Sequence, residues 1–147
     1  MKVCFDVNAI VYLYTSAPQQ AEVLFAYDVA LTRGFQTVMA ASSLADTHYV
    51  LRKCGLKGEA LETAMDALFQ MFDIFDCTGQ DGMNAHHSDM ADYEDALIAE
   101  SALRNGVDVI LTYNVKDFEN SPVAAQLPAD FIRAFKPASV EYAEVKL

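Results

Sequence analysis

Asp92-Tyr93-Glu94-Asp95-Ala96-Leu97-Ile98-Ala99-Glu100-Ser101-Ala102-Leu103-Arg104-Asn105-Gly106-Val107-Asp108-Val109-Ile110-Leu111-Thr112 is the stretch that decides the fold. Its first part carries apolar residues at helical spacing, with Asp92 placed as N-cap and Gly106 as the residue that closes the helix at about Asn105. Its second part, Val107 to Thr112, is a short apolar run that reads as a strand. The same alternation recurs upstream. Lys2 to Phe5 reads as a buried strand, after which Asn8 is expected to cap an apolar segment from Ala9 to Tyr14. A helix from Pro18 to Gly34 shows Leu24, Tyr27 and Leu31 on one face, and Thr37 to Ala40 makes a second strand. Ser42 or Ser43 caps a helix reaching about Cys54, and Gly58 opens another whose Leu61, Met65, Leu68 and Phe72 follow the helical period. Asp73 to Cys77 reads as a third strand, and Gly79 to Met90 as a polar loop. After Thr112, prolines at 122, 128 and 137 leave room for a short helix over Asp130–Phe135 and an edge strand.

Strands separated by helices predict an α/β domain with a mainly parallel sheet covered on both faces. The 147 residues suit one domain over 1–147, and 53% hydrophobic with 21% charged residues excludes a disordered chain. Three cysteines without a Cys-x-x-Cys pair indicate neither a disulfide framework nor a zinc site, and they are expected to be packing residues. Without a long apolar run or a leader-like amino terminus, a soluble cytoplasmic protein with no membrane contact is expected. The charge is the unusual quantity. Twenty-one acids against ten basic residues give −11, which argues against a protein that grips nucleic acid by neutralising its phosphates.

In a parallel α/β sheet the ligand site lies beyond the carboxyl ends of the strands, where strand order reverses. Asp6 directly follows the first strand. Asp95 lies on the stripe of Ile98, Ala99 and Ala102, so a carboxylate heads a core-facing surface and needs a cation, hydrogen bonds or a raised pKa. Asn114 and Asp117 follow the strand Val107 to Thr112, as a turn or as part of a site. Asp46 lies within a helix, away from the Leu44/His48/Leu51 stripe, as a surface charge or a fourth acid. Carboxylates from separate segments are the hard oxygen donors that Mg²⁺ or Mn²⁺ takes, and such ions activate water for phosphodiester displacement.

Asp6-Val7-Asn8, Ser43-Leu44-Ala45-Asp46 through Lys53, Asp92-Tyr93-Glu94-Asp95-Ala96-Leu97-Ile98-Ala99 and Leu111-Thr112-Tyr113-Asn114-Val115-Lys116-Asp117-Phe118 resemble, in order and spacing, the PIN domain family and its small bacterial VapC-like toxins. The resemblance spans Lys2 to about Phe135. It implies an α/β/α sandwich and a Mg²⁺- or Mn²⁺-dependent ribonuclease in which Asp6, Asp46, Asp95 and Asp117 match the four acids. Asn8, Asp92, Thr112 and Asn114 match supporting positions. Hydrolysis by metal-activated water would leave a 5′-phosphate and a 3′-hydroxyl. The resemblance also implies an RNA substrate, a small antitoxin partner and a homodimer. Three residues depart from the pattern. Asp46 is one methylene shorter than the usual Glu, which implies reach to a metal through water. Val7 replaces a hydroxyl residue. Tyr113 replaces a common Arg, so the phosphate contact that the resemblance implies is either absent or replaced by stacking on a base.

Two other readings compete. A PIN-like protein without activity would act only as a binding partner, and an acidic receiver-type signalling domain would use Asp6, Asp46 and Lys136. The receiver needs its acceptor Asp at a strand end, whereas Asp46 sits in a helical pattern. His48 is expected to pack on its helix stripe, His86 and His87 to sit in a solvated loop, and Glu94 to point away from the site. Arg52, Lys53, Lys57, Arg104 and Lys116 are the available phosphate contacts, and surface solvation explains each equally well.

Overall fold

The computed structural model describes residues 1–142. Among them, five parallel strands form one sheet in the order β3-β2-β1-β4-β5, where β1 is Lys2–Phe5, β2 Gln36–Ala40, β3 Asp73–Phe75, β4 Val109–Leu111 and β5 Ala124–Gln126. Among the described residues, seven α-helices accompany the sheet: α1 (Val7–Ile10), α2 (Gln19–Thr32), α3 (Leu44–Lys53), α4 (Glu59–Met71), α5 (Gly79–His86), α6 (Tyr93–Arg104) and α7 (Pro128–Phe135). None of these helices is long and apolar enough to cross a membrane.

Because side chains alternate along a strand, each strand serves two cores. Val3, Phe5, Met39, Val109 and Leu111 face one layer with residues of α1, α2, α4 and α7. Cys4, Val38, Ala40 and Ile110 face the other, which α5 and α6 cover. The result is the expected α/β/α sandwich. Phe5 is fully buried with its ring 5.1 Å from that of Phe72, and truncating such a side chain to Ala costs about 3–5 kcal/mol. Gly34 and Gly106 both follow helices at φ 69°, a left-handed conformation that glycine adopts without strain and that turns the chain back into β2 and towards β4.

Several local expectations are corrected. Asp6, not Asn8, caps α1, its carboxylate accepting the Val7 N–H, and the apolar segment breaks after four residues into a 3₁₀ turn over Val11–Tyr14. In α2 the buried face is Val23, Ala26, Val29 and Ala30, while Leu24 and Leu31 are exposed. Apolar residues surround that helix, so periodicity did not single out the side that packs. Gly79 to Met90 is not a loop throughout: α5 occupies Gly79–His86, opened by a capping box in which Thr78 and Asp81 satisfy each other's backbone N–H groups. His86 therefore ends a helix. A 3₁₀ turn over Ala41–Ser43 leads into α3, and neither serine donates a side-chain cap there. On α3 the buried residues are Thr47 and Leu51, so His48 is exposed rather than packed, and Cys54 is exposed at its end. Strands β3 and β4 are shorter than read, and α7 begins two residues earlier, at Pro128.

From β1 the chain steps to β2 and β3 on one side, then crosses to β4 and β5 on the other. Strand order therefore reverses between β1 and β4, which opens a crevice beyond their carboxyl ends.

Candidate functional site

The strand alternation that sends Cys4 to the α6 layer sends Asp6, two residues on, to the same side. Asp6 is 4% exposed, and burial pushes its carboxyl pKa up. Hydrogen bonds oppose this: Thr112 Oγ1 (2.8 Å) and Asn8 Nδ2 (2.9 Å) donate to Oδ2, and the Val7 N–H (2.7 Å) donates to Oδ1. The negative charge of Asp117 adds to the upward push. Asn8, set free from capping, bridges the two strand ends. Its Oδ1 accepts the Tyr113 N–H at 2.9 Å while its Nδ2 also lies 3.0 Å from Thr112 Oγ1. Thr112 Oγ1 in turn accepts the Asn114 N–H, so β1 and the loop after β4 are held as one unit.

Asp95 stands in the first turn of α6, whose N-cap Asp92 accepts the Asp95 N–H at 3.0 Å, as expected. Burial pushes the Asp95 carboxyl up to about 7, aided by the negative charges of Asp6, Asp92, Asp117 and Glu94. Every influence on it raises the pKa. Its half-exposed carboxylate faces a cleft of about 650 Å³ that Asp6, Asn8, Asp46 and Asn114 also border. Asp46, in the first turn of α3, thus borders the same cleft from another helix. Glu94 does not point away but also borders it, and Val7, Val11, Val50 and Ile98 make its apolar surface. Asp117 is exposed on a 3₁₀ turn and lines a neighbouring cleft with Tyr113, Lys116 and Gln126, although its charge reaches both Asp6 and Asp95.

Two residues differ from expectation. Tyr113 is engaged rather than offered to a base: its hydroxyl donates to Glu22 at 2.8 Å and its ring stands edge-on to Tyr12 at 5.1 Å. Arg104 is no free phosphate contact, because its guanidinium binds Asp81 at 2.9 Å and Asp76 at 2.7 Å. Ser42, read only as a cap, contributes to the cleft wall, and its Oγ is buried with no hydrogen-bond partner among the described residues. Nothing in the sequence marked it, since the orphan hydroxyl arises from the turn before α3.

None of Asp6, Asp46, Asp95 and Asp117 pairs with a Lys or Arg among the described residues. Like charges crowded without a cation favour binding of one. No three His, Cys, Asp or Glu side chains among the described residues converge closely enough to cage an ion. An open set of carboxylates still suits Mg²⁺, which keeps several waters and is commonly held through one or two carboxylates.

A family sequence model for the PIN domain matches residues 2–116. Among solved structures, the chain is similar to VapBC2 from Rickettsia felis bound to a DNA fragment from its promoter, with 18% identity and a TM-score of 0.63 over 86% of this chain and 98% of that one. It is also similar to VapBC-1 from nontypeable Haemophilus influenzae, at 19% identity and a TM-score of 0.59 over 88% and 99%, and to FitAcB from Neisseria gonorrhoeae, at 19% and 0.59 over 86% and 98%. Comparison with curated protein sequences yields no significant match. The structural likenesses support the same overall fold, and the sequence match runs from β1 to the turn after β4, across both walls of the crevice: the chain belongs to the PIN domain family.

Proposed function

We propose that this chain is a divalent-metal-dependent ribonuclease, the toxin of a toxin–antitoxin pair. The observation that carries the reading is the set of uncompensated carboxylates around the crevice between β1 and β4. Asp6 and Asp95 would be the main ligands of Mg²⁺ or Mn²⁺, with Asp46 and Asp117 completing the shell directly or through water. The bound ion supplies a water of lowered pKa and a counter-charge for the phosphate. The chain's own residues do the positioning. Asn8 and Thr112 fix the Asp6 carboxylate by two hydrogen bonds, and the Asp92 cap fixes the start of α6 from which Asp95 projects. Val7, Val11 and Ile98 form the apolar part of the cleft wall beside the acids. In the hydrolysis, water oxygen bonds to phosphorus as the P–O3′ bond breaks, and the products are a 5′-phosphate and a 3′-hydroxyl.

The test is direct. Asp6→Asn and Asp95→Asn, folded by circular dichroism, should abolish Mn²⁺-dependent cleavage of RNA. Purified variants that still cleave would refute the site. The open arrangement of the acids, with Asp117 turned to the neighbouring cleft, favours one second reading, a PIN-like binding protein without activity. Calorimetry with Mn²⁺ separates the two, since only the nuclease requires measurable binding. A homodimer and an antitoxin belong to the same proposal, and light scattering on the purified chain tests the first. The receiver-type reading fails on geometry, because Asp46 lies in α3 and not at a strand end.

A further inference from the structure

The basic residues of this acidic chain are mostly committed to its own structure. Leaving aside Lys146, which lies outside the described residues, Lys2 donates to the Asn105 carbonyl, Arg33 to that of Phe135 and Lys136 to that of Val140, while Arg104 and Arg133 are paired with aspartates. Arg52, Lys53, Lys57 and Lys116 have no carboxylate or carbonyl partner among the described residues. Three of these four lie within six positions at the turn from α3 to α4, in the stretch Thr47 to Gly58, which holds no acid in a chain of net charge −11.

Geometry links that turn to the cleft. Asp46 and Val50 border the cleft from α3, and Lys53 falls on the same helical stripe, one turn beyond Val50 and roughly 10 Å along the axis from Asp46. Tyr49 lies beside this stripe, 57% exposed, with the Lys53 ammonium 5.2 Å from its ring centroid. A place in the last turn of a helix explains a cation there through the helix dipole. It does not explain Lys57, which lies outside the helix, or an exposed aromatic ring under the Lys53 ammonium. An exposed ring with a cation beside it and further cations nearby in sequence, on a helix that borders a carboxylate-lined cleft, suits a single strand, with a base on the ring and phosphates on the cations.

Resting on the ribonuclease reading, we infer that Tyr49, Arg52, Lys53 and Lys57 form the entry track for single-stranded RNA, which runs along α3 into the cleft at Asp46. The track reconciles the overall charge with a polyanionic substrate by confining attraction to one wall. Its partner is single-stranded nucleic acid, not a duplex, because the ring can accept only an unstacked base.

The experiment compares the wild-type chain with Arg52→Gln/Lys53→Gln/Lys57→Gln, with Tyr49→Ala and with the control Arg33→Gln at the far end of the sheet. Cleavage of single-stranded RNA oligonucleotides of increasing length is followed in Mn²⁺ at several salt concentrations. The triple variant should raise KM by about tenfold or more for long oligonucleotides, and the salt dependence of log KM should flatten by about 2, near 0.7 for each lost phosphate contact. Tyr49→Ala should raise KM severalfold without flattening the salt dependence, and Arg33→Gln should behave as wild type. The loss should grow with length and be least for a dinucleotide. A triple variant with wild-type KM, or one whose defect does not depend on length, overturns the track while leaving the ribonuclease reading intact. A wild-type chain that cleaves no RNA overturns both. A track that binds an acidic peptide but whose loss does not alter RNA cleavage is a protein-docking surface, and that result also overturns the inference.

Discussion

Asp95 heads α6 at the cleft with four negative groups acting on it and, among the described residues, no Lys or Arg paired with it. Unfolded, its carboxyl titrates near 3.8, and in the fold near 7. Between these values the native chain holds a proton that the unfolded chain has released. Stability therefore falls as pH rises through that window, and the full penalty is present above it. Asp95→Asn should accordingly melt at a higher temperature than wild type at pH 8, with the gap closing towards pH 4, in thermal scans with chelator present. A gap that is equal at both pH values contradicts the assignment. Mn²⁺ should raise the wild-type melting temperature more than that of the variant. Asp95 was legible from the sequence because its helix stripe is otherwise core. The role of Asn8 was not: both Asp6 and Asn8 are good cap residues, and only the distance to Thr112 and Tyr113 across the sheet shows which one caps and which one bridges.

At the scale of elements, α5 shows how tertiary contacts override local preference. Gly79, Gly82 and Asn84 are poor helix formers, so the stretch read as a loop. The helix stands because Thr78 and Asp81 cap it and because Arg104 of α6 grips Asp81. Hydrogen bonding from the guanidinium holds the Asp81 carboxyl below the usual carboxylate range, and its side chain is almost wholly buried. Removing the guanidinium leaves that buried charge without its counter-ion, held by the Thr78 N–H. Arg104→Ala should lower the melting temperature by several degrees and speed amide exchange in α5 ahead of α4. The double variant Arg104→Ala/Asp81→Asn should recover part of the loss; no recovery would show that Arg104 acts by packing alone. Where one residue set decides an element, as Leu61, Leu68 and Phe72 do for α4, the sequence was enough. In α2 it was not, because small residues pack inwards while Leu24 and Leu31 face out.

For the whole molecule, −11 sets the terms on which a polyanion approaches. Residues 74 to 147 hold 13 acids against 5 basic residues, so repulsion is strongest over the second half of the chain. RNA binding should therefore weaken more than tenfold when millimolar Mg²⁺ is replaced by chelator at constant ionic strength, a difference that fluorescence anisotropy reads. Equal affinity in both buffers would mean that protein cations alone hold the strand. The layered fold was readable from the alternation of strands and helices, since each strand run is too short and too apolar for a surface element. Strand order was not readable, because nothing local to β1 says that β4 lies beside it. That neighbour relation has a temporal side. The Asp6–Thr112 hydrogen bond joins residues 106 positions apart, and at 5–20 residues per second of synthesis roughly 5–20 s pass between the emergence of the two strands. A crevice whose walls come from both β1 and β4 has no existence on the ribosome until β4 is made, so whatever chemistry its carboxylates support is withheld from the nascent chain for most of its own translation.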